Sequence, residues 1–238
     1  MMMRRTSSDR TVLNGLNRRP WAAVAVLATL FLAAPLASAA AQSTATSTVG
    51  FAGFFPAGIR HILPGGNEQI LFLLAIFLAS PRTGPLLSQF LIWVLGHTLT
   101  LWLVGLGVLT VPGDVVAWLV PLTIVMVAAE NLLFGRMTKF KTGLVFAYGL
   151  IHGMSFAAAY HAVPSQGDTG LMSLIGFNLG LEFAHAAILG LAFAASLYFR
   201  GVLKQASRMD LYRPMIVVPV SLAILVTGAI WTIRAFTG

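Results

Sequence analysis

Residues 171–199 read LMSLIGFNLGLEFAHAAILGLAFAASLYF. One carboxylate, Glu182, and one imidazole, His185, are the only ionisable groups in this stretch apart from Tyr198. It is longer than the roughly 20 residues an α-helix needs to cross the hydrocarbon core of a bilayer. An ionisable side chain at mid-membrane depth costs about 2.5–3.5 kcal/mol to insert, so such groups are kept for a partner or a task. Asn178, Glu182 and His185 follow one another by i+4 and i+3 steps, which places amide, carboxylate and imidazole on one helical face. The stretch reads as a membrane-spanning helix with one polar face.

The same reading extends outward to five further apolar spans. They cover Asn67–Ser80, Leu86–Leu109, Asp114–Phe134, Phe140–Ala162 and Met215–Ala235. The first is short for a bilayer unless Gly58–Leu63 extends it. Turn residues separate several of them: Pro81 to Pro85, Val111-Pro112-Gly113-Asp114 and Pro164-Ser165-Gln166-Gly167. With 58% hydrophobic and 9% charged residues and a mean hydropathy of +0.86, the chain is expected to be an all-α integral membrane protein with about six helices in one bundle. No strong internal repeat is visible. The five tryptophans, Trp21, Trp93, Trp102, Trp118 and Trp231, read as interfacial or lipid-facing, and most of the nine methionines as packing residues.

Ahead of the bundle, Arg4, Arg5, Arg10, Arg18 and Arg19 precede the apolar run Trp21–Ala34, and small residues through Ala41 offer A-x-A-like cleavage sites. Residues 1–41 are expected to be a cleavable signal segment, with an uncleaved anchor as the alternative. Residues 42–66 follow as an extracytoplasmic segment, polar and then Gly/Phe/Pro-rich, expected to be irregular over 42–57; residues 67–238 form the six-helix domain. If Gln42 lies outside, the inner loops carry Arg82, Arg136, Lys139, Lys141, Arg200, Lys204, Arg208 and Arg213, against Arg60 and Arg234 on the other side. This is a positive-inside bias. It assigns the net charge of +8 to topology and removes nucleic acid as a partner. The expected location is a bacterial-type inner membrane, multi-pass, with the mature N-terminus extracytoplasmic and the lipid bilayer as the obligatory partner.

At 1.5 Å per residue, His97, His152, Glu182 and His185 all fall near the midplane. Glu130 lies nearer the cytoplasmic side, and His61 and Glu68 near the outer entrance. The chain has no cysteine, so thiolate metal sites are excluded. A carboxylate and a histidine three apart on an inward helical face is a known way for helical bundles to hold a metal. With His97 and His152, the set His97, His152, Glu182, His185 and Asn178 offers nitrogen and oxygen donors suited to nickel, cobalt, zinc or copper(II) more than to magnesium or calcium. The plain alternatives are a buried His acting as a hydrogen-bonding strut, and Asn178, Thr98 and Thr100 acting as contacts between helices.

Several motifs then resemble a known family. Gly58-Ile59-Arg60-His61-Ile62, Gly96-His97-Thr98-Leu99-Thr100-Leu101, Glu130-Asn131-Leu132, Gly149-Leu150-Ile151-His152-Gly153-Met154-Ser155-Phe156-Ala157 and Phe177-Asn178-Leu179-Gly180-Leu181-Glu182 occur in order. Together they resemble the HupE/UreJ family of small membrane proteins over roughly residues 55–195. The resemblance implies a nickel or cobalt permease serving metalloenzyme maturation, with a cleaved signal and about six helices. The family's Gly-x-Asp-His element is altered here to Gly66-Asn67-Glu68-Gln69. With one inserted residue, Glu68 stands for Asp and Gln69 for His; without it, Asn67 and Glu68 take those places. His185 stands where the family usually has Gln.

The expected function is therefore permeation of a divalent transition metal, Ni2+ or Co2+, with Zn2+ and Cu2+ as further candidates and no permanently bound cofactor. His61 and Glu68 form the entrance, the midplane set holds the ion, and Glu130 relays it inward. A non-transporting membrane subunit or scaffold is the alternative, prompted by the altered entrance. Further alternatives are a b-type haem held by His97 and His152, and hydrolysis at Ser155, which lacks a G-x-S-x-G setting. The chain is not expected to be an enzyme, and it carries no nucleotide-binding P-loop.

Overall fold

The computed structural model describes residues 44–79, 83–133, 139–164 and 170–238. The expected signal segment lies outside them. Seven α-helices follow in order: α1 (Thr44–Ile62), α2 (Asn67–Ala79), α3 (Thr83–Gly105), α4 (Gly113–Leu133), α5 (Lys139–His161), α6 (Leu171–Gln205) and α7 (Val218–Thr237). A 3-10 turn (Met209–Leu211) and a π-helical turn (Arg213–Val217) lead into α7. There is no strand among the described residues.

Five helical stretches are long and apolar enough to cross a membrane, and six if the pair α1 and α2 forms one broken span. These two helices are bent by 70° at Leu63-Pro64-Gly65-Gly66. A proline and two glycines remove backbone support for a continuous helix there. Of the segment expected to be irregular over 42–57, residues 44–57 are instead part of α1. α1 packs closely against α6 at one point, where a Cβ on Gly58 would collide with the Phe177 carbonyl oxygen and one on Gly180 with that of Phe55.

The expected span through Leu109 stops earlier. Gly107, at φ 74°, adopts the left-handed conformation; its N–H donates to the Val104 carbonyl and that of Val108 to the Leu103 carbonyl. This pairing closes a helix C-terminus. Ser207, at φ 56°, closes α6 with the same two bonds, to Lys204 and Leu203. That helix runs past the expected Phe199 to Gln205.

In hydrocarbon, apolar burial gives little drive for helices to associate, and close van der Waals packing at small residues does more. The pairs α1 with α6, α3 with α5 and α4 with α7 are the most extensive contacts. At the α3–α5 seam, a Cβ on Gly96 would lie 2.5 Å from the Phe146 carbonyl oxygen, and one on Gly149 2.5 Å from that of Trp93. Phe72, Trp93, Phe156, Tyr160 and Phe177 fill the interior. Phe183, Leu191, Tyr198, Leu222, Ile233 and Phe236 remain exposed on α6 and α7, the surface a lipid phase would cover.

Candidate metal centre

The close α3–α5 seam puts His97 and His152 in the core. His97 follows Gly96, and His152 precedes Gly153, where a Cβ would strike the His97 carbonyl oxygen. Glu182 and His185 enter from α6. His97 Nε2 lies 2.6 Å from Glu182 Oε1, and His185 Nδ1 lies 3.6 Å from Glu182 Oε2. One donor atom from each of the three residues falls within 4.8 Å of the others.

Both histidines are fully buried, while the Glu182 side chain is 18% exposed. His97 Nδ1, both ring nitrogens of His185 and Glu182 Oε2 have no hydrogen-bond partner among the described residues. An unmade hydrogen bond at a buried polar group costs about 1–3 kcal/mol. Two imidazoles and a carboxylate held this close, with donor atoms still unused, are a ligand set that fits a divalent transition metal.

Aromatic rings wall the group. The Trp93 ring centroid is 4.4 Å from that of His97 and 4.8 Å from that of His185. On another side, Phe156 lies 5.2 Å from His97 and 5.7 Å from His185. Trp93 is therefore a core residue and not an interfacial one. Its position one turn before His97 on α3 explains this: the two share a face, and the face is buried.

The remaining expected ligands are placed differently. The His152 Nε2 lies 2.9 Å from Thr123 Oγ1, and that oxygen lies 2.7 Å from the Val120 carbonyl oxygen. A carbonyl cannot donate, so the Thr123 hydrogen goes to Val120 and His152 donates from Nε2. Its Nδ1 is then the bare nitrogen, buried and without a partner. His152 stands beside the three-residue group across Trp93, with ring centroids 5.7 Å apart. Asn178 Oδ1 accepts a hydrogen bond from Thr98 Oγ1 at 3.3 Å, and so joins α6 to α3 outside the three-residue group.

His61 and Glu68 line a cavity of about 840 Å³ at the α1–α2 bend, together with Gln69 and Ser155. The Phe156 ring also lies 5.8 Å from that of His61, between the cavity and the central group. In the other direction, Phe72 packs against His152 at 4.3 Å and against Tyr148 at 6.1 Å. The Tyr148 hydroxyl donates to Glu130 Oε1 at 3.3 Å. Aromatic rings thus run from His61 past His97, His185 and His152 to Tyr148, which bonds Glu130. The sequence reading missed Thr123, Phe156, Phe72 and Tyr148. Phe156, one turn beyond His152, was accessible to helical spacing; Thr123 had no local signal.

No curated protein and no solved structure matched the chain. The family model described as HupE / UreJ protein matches residues 37–235. That match takes in α1 to α6 and all but the last two residues of α7, and with it the chain belongs to the HupE / UreJ family of multi-pass membrane proteins.

Proposed function

We propose that this protein is a permease for a divalent transition metal, nickel or cobalt, in a bacterial-type inner membrane. The observation that carries the reading is the group of His97, Glu182 and His185, in which one donor atom from each residue lies within 4.8 Å of the others. The ion, as substrate, enters the cavity beside His61 and Glu68 and passes Phe156. There it exchanges water for His97, Glu182 and His185. Neutral imidazole and ionised carboxylate are the binding forms, so loading competes with protons. His152, with Nδ1 free, is the next donor, and Glu130 with Tyr148 forms a step beyond it. Release requires that no stage hold the ion too tightly, which a chain of partial ligand sets achieves better than one complete cage.

The test is uptake of nickel into proteoliposomes holding the purified protein. Uptake abolished by His97→Ala and by Glu182→Gln supports the reading. Undiminished uptake in both variants would overturn it. The altered family element, with Glu68 and Gln69 both at the cavity and no second imidazole beside them, favours one alternative, a metal-holding scaffold. Stable nickel binding without uptake, together with co-purification of a partner from a metalloenzyme maturation system, would decide for that alternative.

A further inference from the structure

The cavity at the α1–α2 bend has the wrong charge for a bare cation. Arg60, His61, Glu68, Gln69, Trp231 and Arg234 line it, so two permanent cations face one carboxylate. Among the described residues, neither arginine has an ion-pair or side-chain hydrogen-bond partner, and neither does Glu68. The first turn of α2, Asn67 to Gln69, also opens here, and the partial positive charge of a helix start acts in the same sense. Such a surface raises the local concentration of anions and lowers that of free divalent cations.

Size points the same way. Six waters around a metal occupy on the order of 200 Å³ at about 30 Å³ each. The cavity, at about 840 Å³, is several times larger and lies in the range of small-molecule sites. Its Trp231 wall offers an aromatic face that a hydrated ion has no use for.

We propose that this cavity receives the metal as an anionic complex with a small carboxylate-bearing chelator, the carboxylates pairing with Arg60 and Arg234 while the metal faces His61 and Glu68. Guanidinium groups suit this task because they pair bidentately with carboxylates. Transfer is ligand exchange without redox change: metal–carboxylate bonds are replaced by bonds to imidazole, and the chelator leaves by the way it came. The proposal rests on the permease reading for the onward step, but the chelate site itself does not depend on it.

Equilibrium dialysis of radiolabelled citrate against protein in nanodiscs, with and without nickel, tests the site directly. Nickel-dependent retention of citrate is expected, falling about tenfold or more in the Arg60→Gln/Arg234→Gln variant, as loss of two charge-assisted pairs requires. For metal-free citrate, Glu68→Gln is expected to raise retention, a gain that a misfolded variant does not imitate. Citrate that is not retained, or is retained equally by the double-arginine variant, would overturn the proposal. Uptake of nickel is read separately on the same protein. Its absence with citrate retention intact would sink the permease reading and leave the chelate site standing.

Discussion

Thr123 and His152, on adjacent helices, are joined by a 2.9 Å hydrogen bond in which the histidine is the donor. The Thr123 hydrogen is already committed to the Val120 carbonyl, so this threonine sets which ring nitrogen of His152 keeps a lone pair. Supporting hydrogen bonds of this kind orient metal-binding imidazoles, and their loss typically costs 10–100-fold in affinity.

Thr123→Val is therefore expected to weaken nickel binding by roughly 10–100-fold, while Thr123→Ser retains most of it. Nitrogen-15 NMR of histidine-labelled protein, without metal, is expected to report Nε2–H for His152 in wild type and Ser variant and a mixture of tautomers in the Val variant. A His152 signal unaffected by Thr123→Val would contradict the assignment.

Glu182 is the only carboxylate among the three converging residues, and it bridges the two histidines. Wild-type protein in detergent is expected to unfold at higher temperature with nickel present, since a ligand at 100 times its Kd adds about 2.7 kcal/mol. Chelator removal of the metal reverses that gain. Glu182→Gln keeps the shape but loses the charge, and its unfolding temperature is expected not to respond to nickel.

Helix contact at glycine can be separated from glycine content. Gly96→Ala places a Cβ 2.5 Å from the Phe146 carbonyl oxygen, and overpacking of this kind costs about 1–3 kcal/mol. Gly143→Ala, also on the α3–α5 pair, meets nothing within 4 Å and is expected to be neutral or stabilising by up to about 1 kcal/mol. Unfolding of both variants in one detergent checks the contrast. Equal stability would show that the α3–α5 seam relaxes freely.

Phe156 touches the rings of His61, His97, His152 and His185, which makes it the partition between the cavity and the central group. Phe156→Leu keeps apolar bulk but removes the flat ring. Stopped-flow measurement of metal release is expected to show faster loss from the central group in this variant. An unchanged release rate would mean that the ring fills space without controlling passage.

Much of this was legible along the chain. Asn178, Glu182 and His185 share a face because 3.6 residues make a turn, and that holds before any packing is known. His97 stands out as an ionisable group within an apolar span, and it meets Glu182 from 85 residues away. Trp93 was misread because an aromatic ring suits both a membrane interface and a core; only its neighbours distinguish the two. The 44–57 stretch was misread for a similar reason, since glycine and proline mark loops yet also occur within this helix. The sorting of His152 to Thr123 and of Asn178 to Thr98 had no local signal.

By itself, then, the sequence determined the approximate spans, their apolar character and the family to which the chain belongs. These follow from backbone hydrogen bonding and hydrophobicity, which act residue by residue along one helix. Only the tertiary structure decided that His97, Glu182 and His185 converge while His152 and Asn178 bond elsewhere, and that Arg60 and Arg234 share one cavity. Those outcomes depend on the rotation and separation of helices, set by glycine contacts such as Gly58 with Phe177 and Gly149 with Trp93, and such distances are not encoded within any single helix.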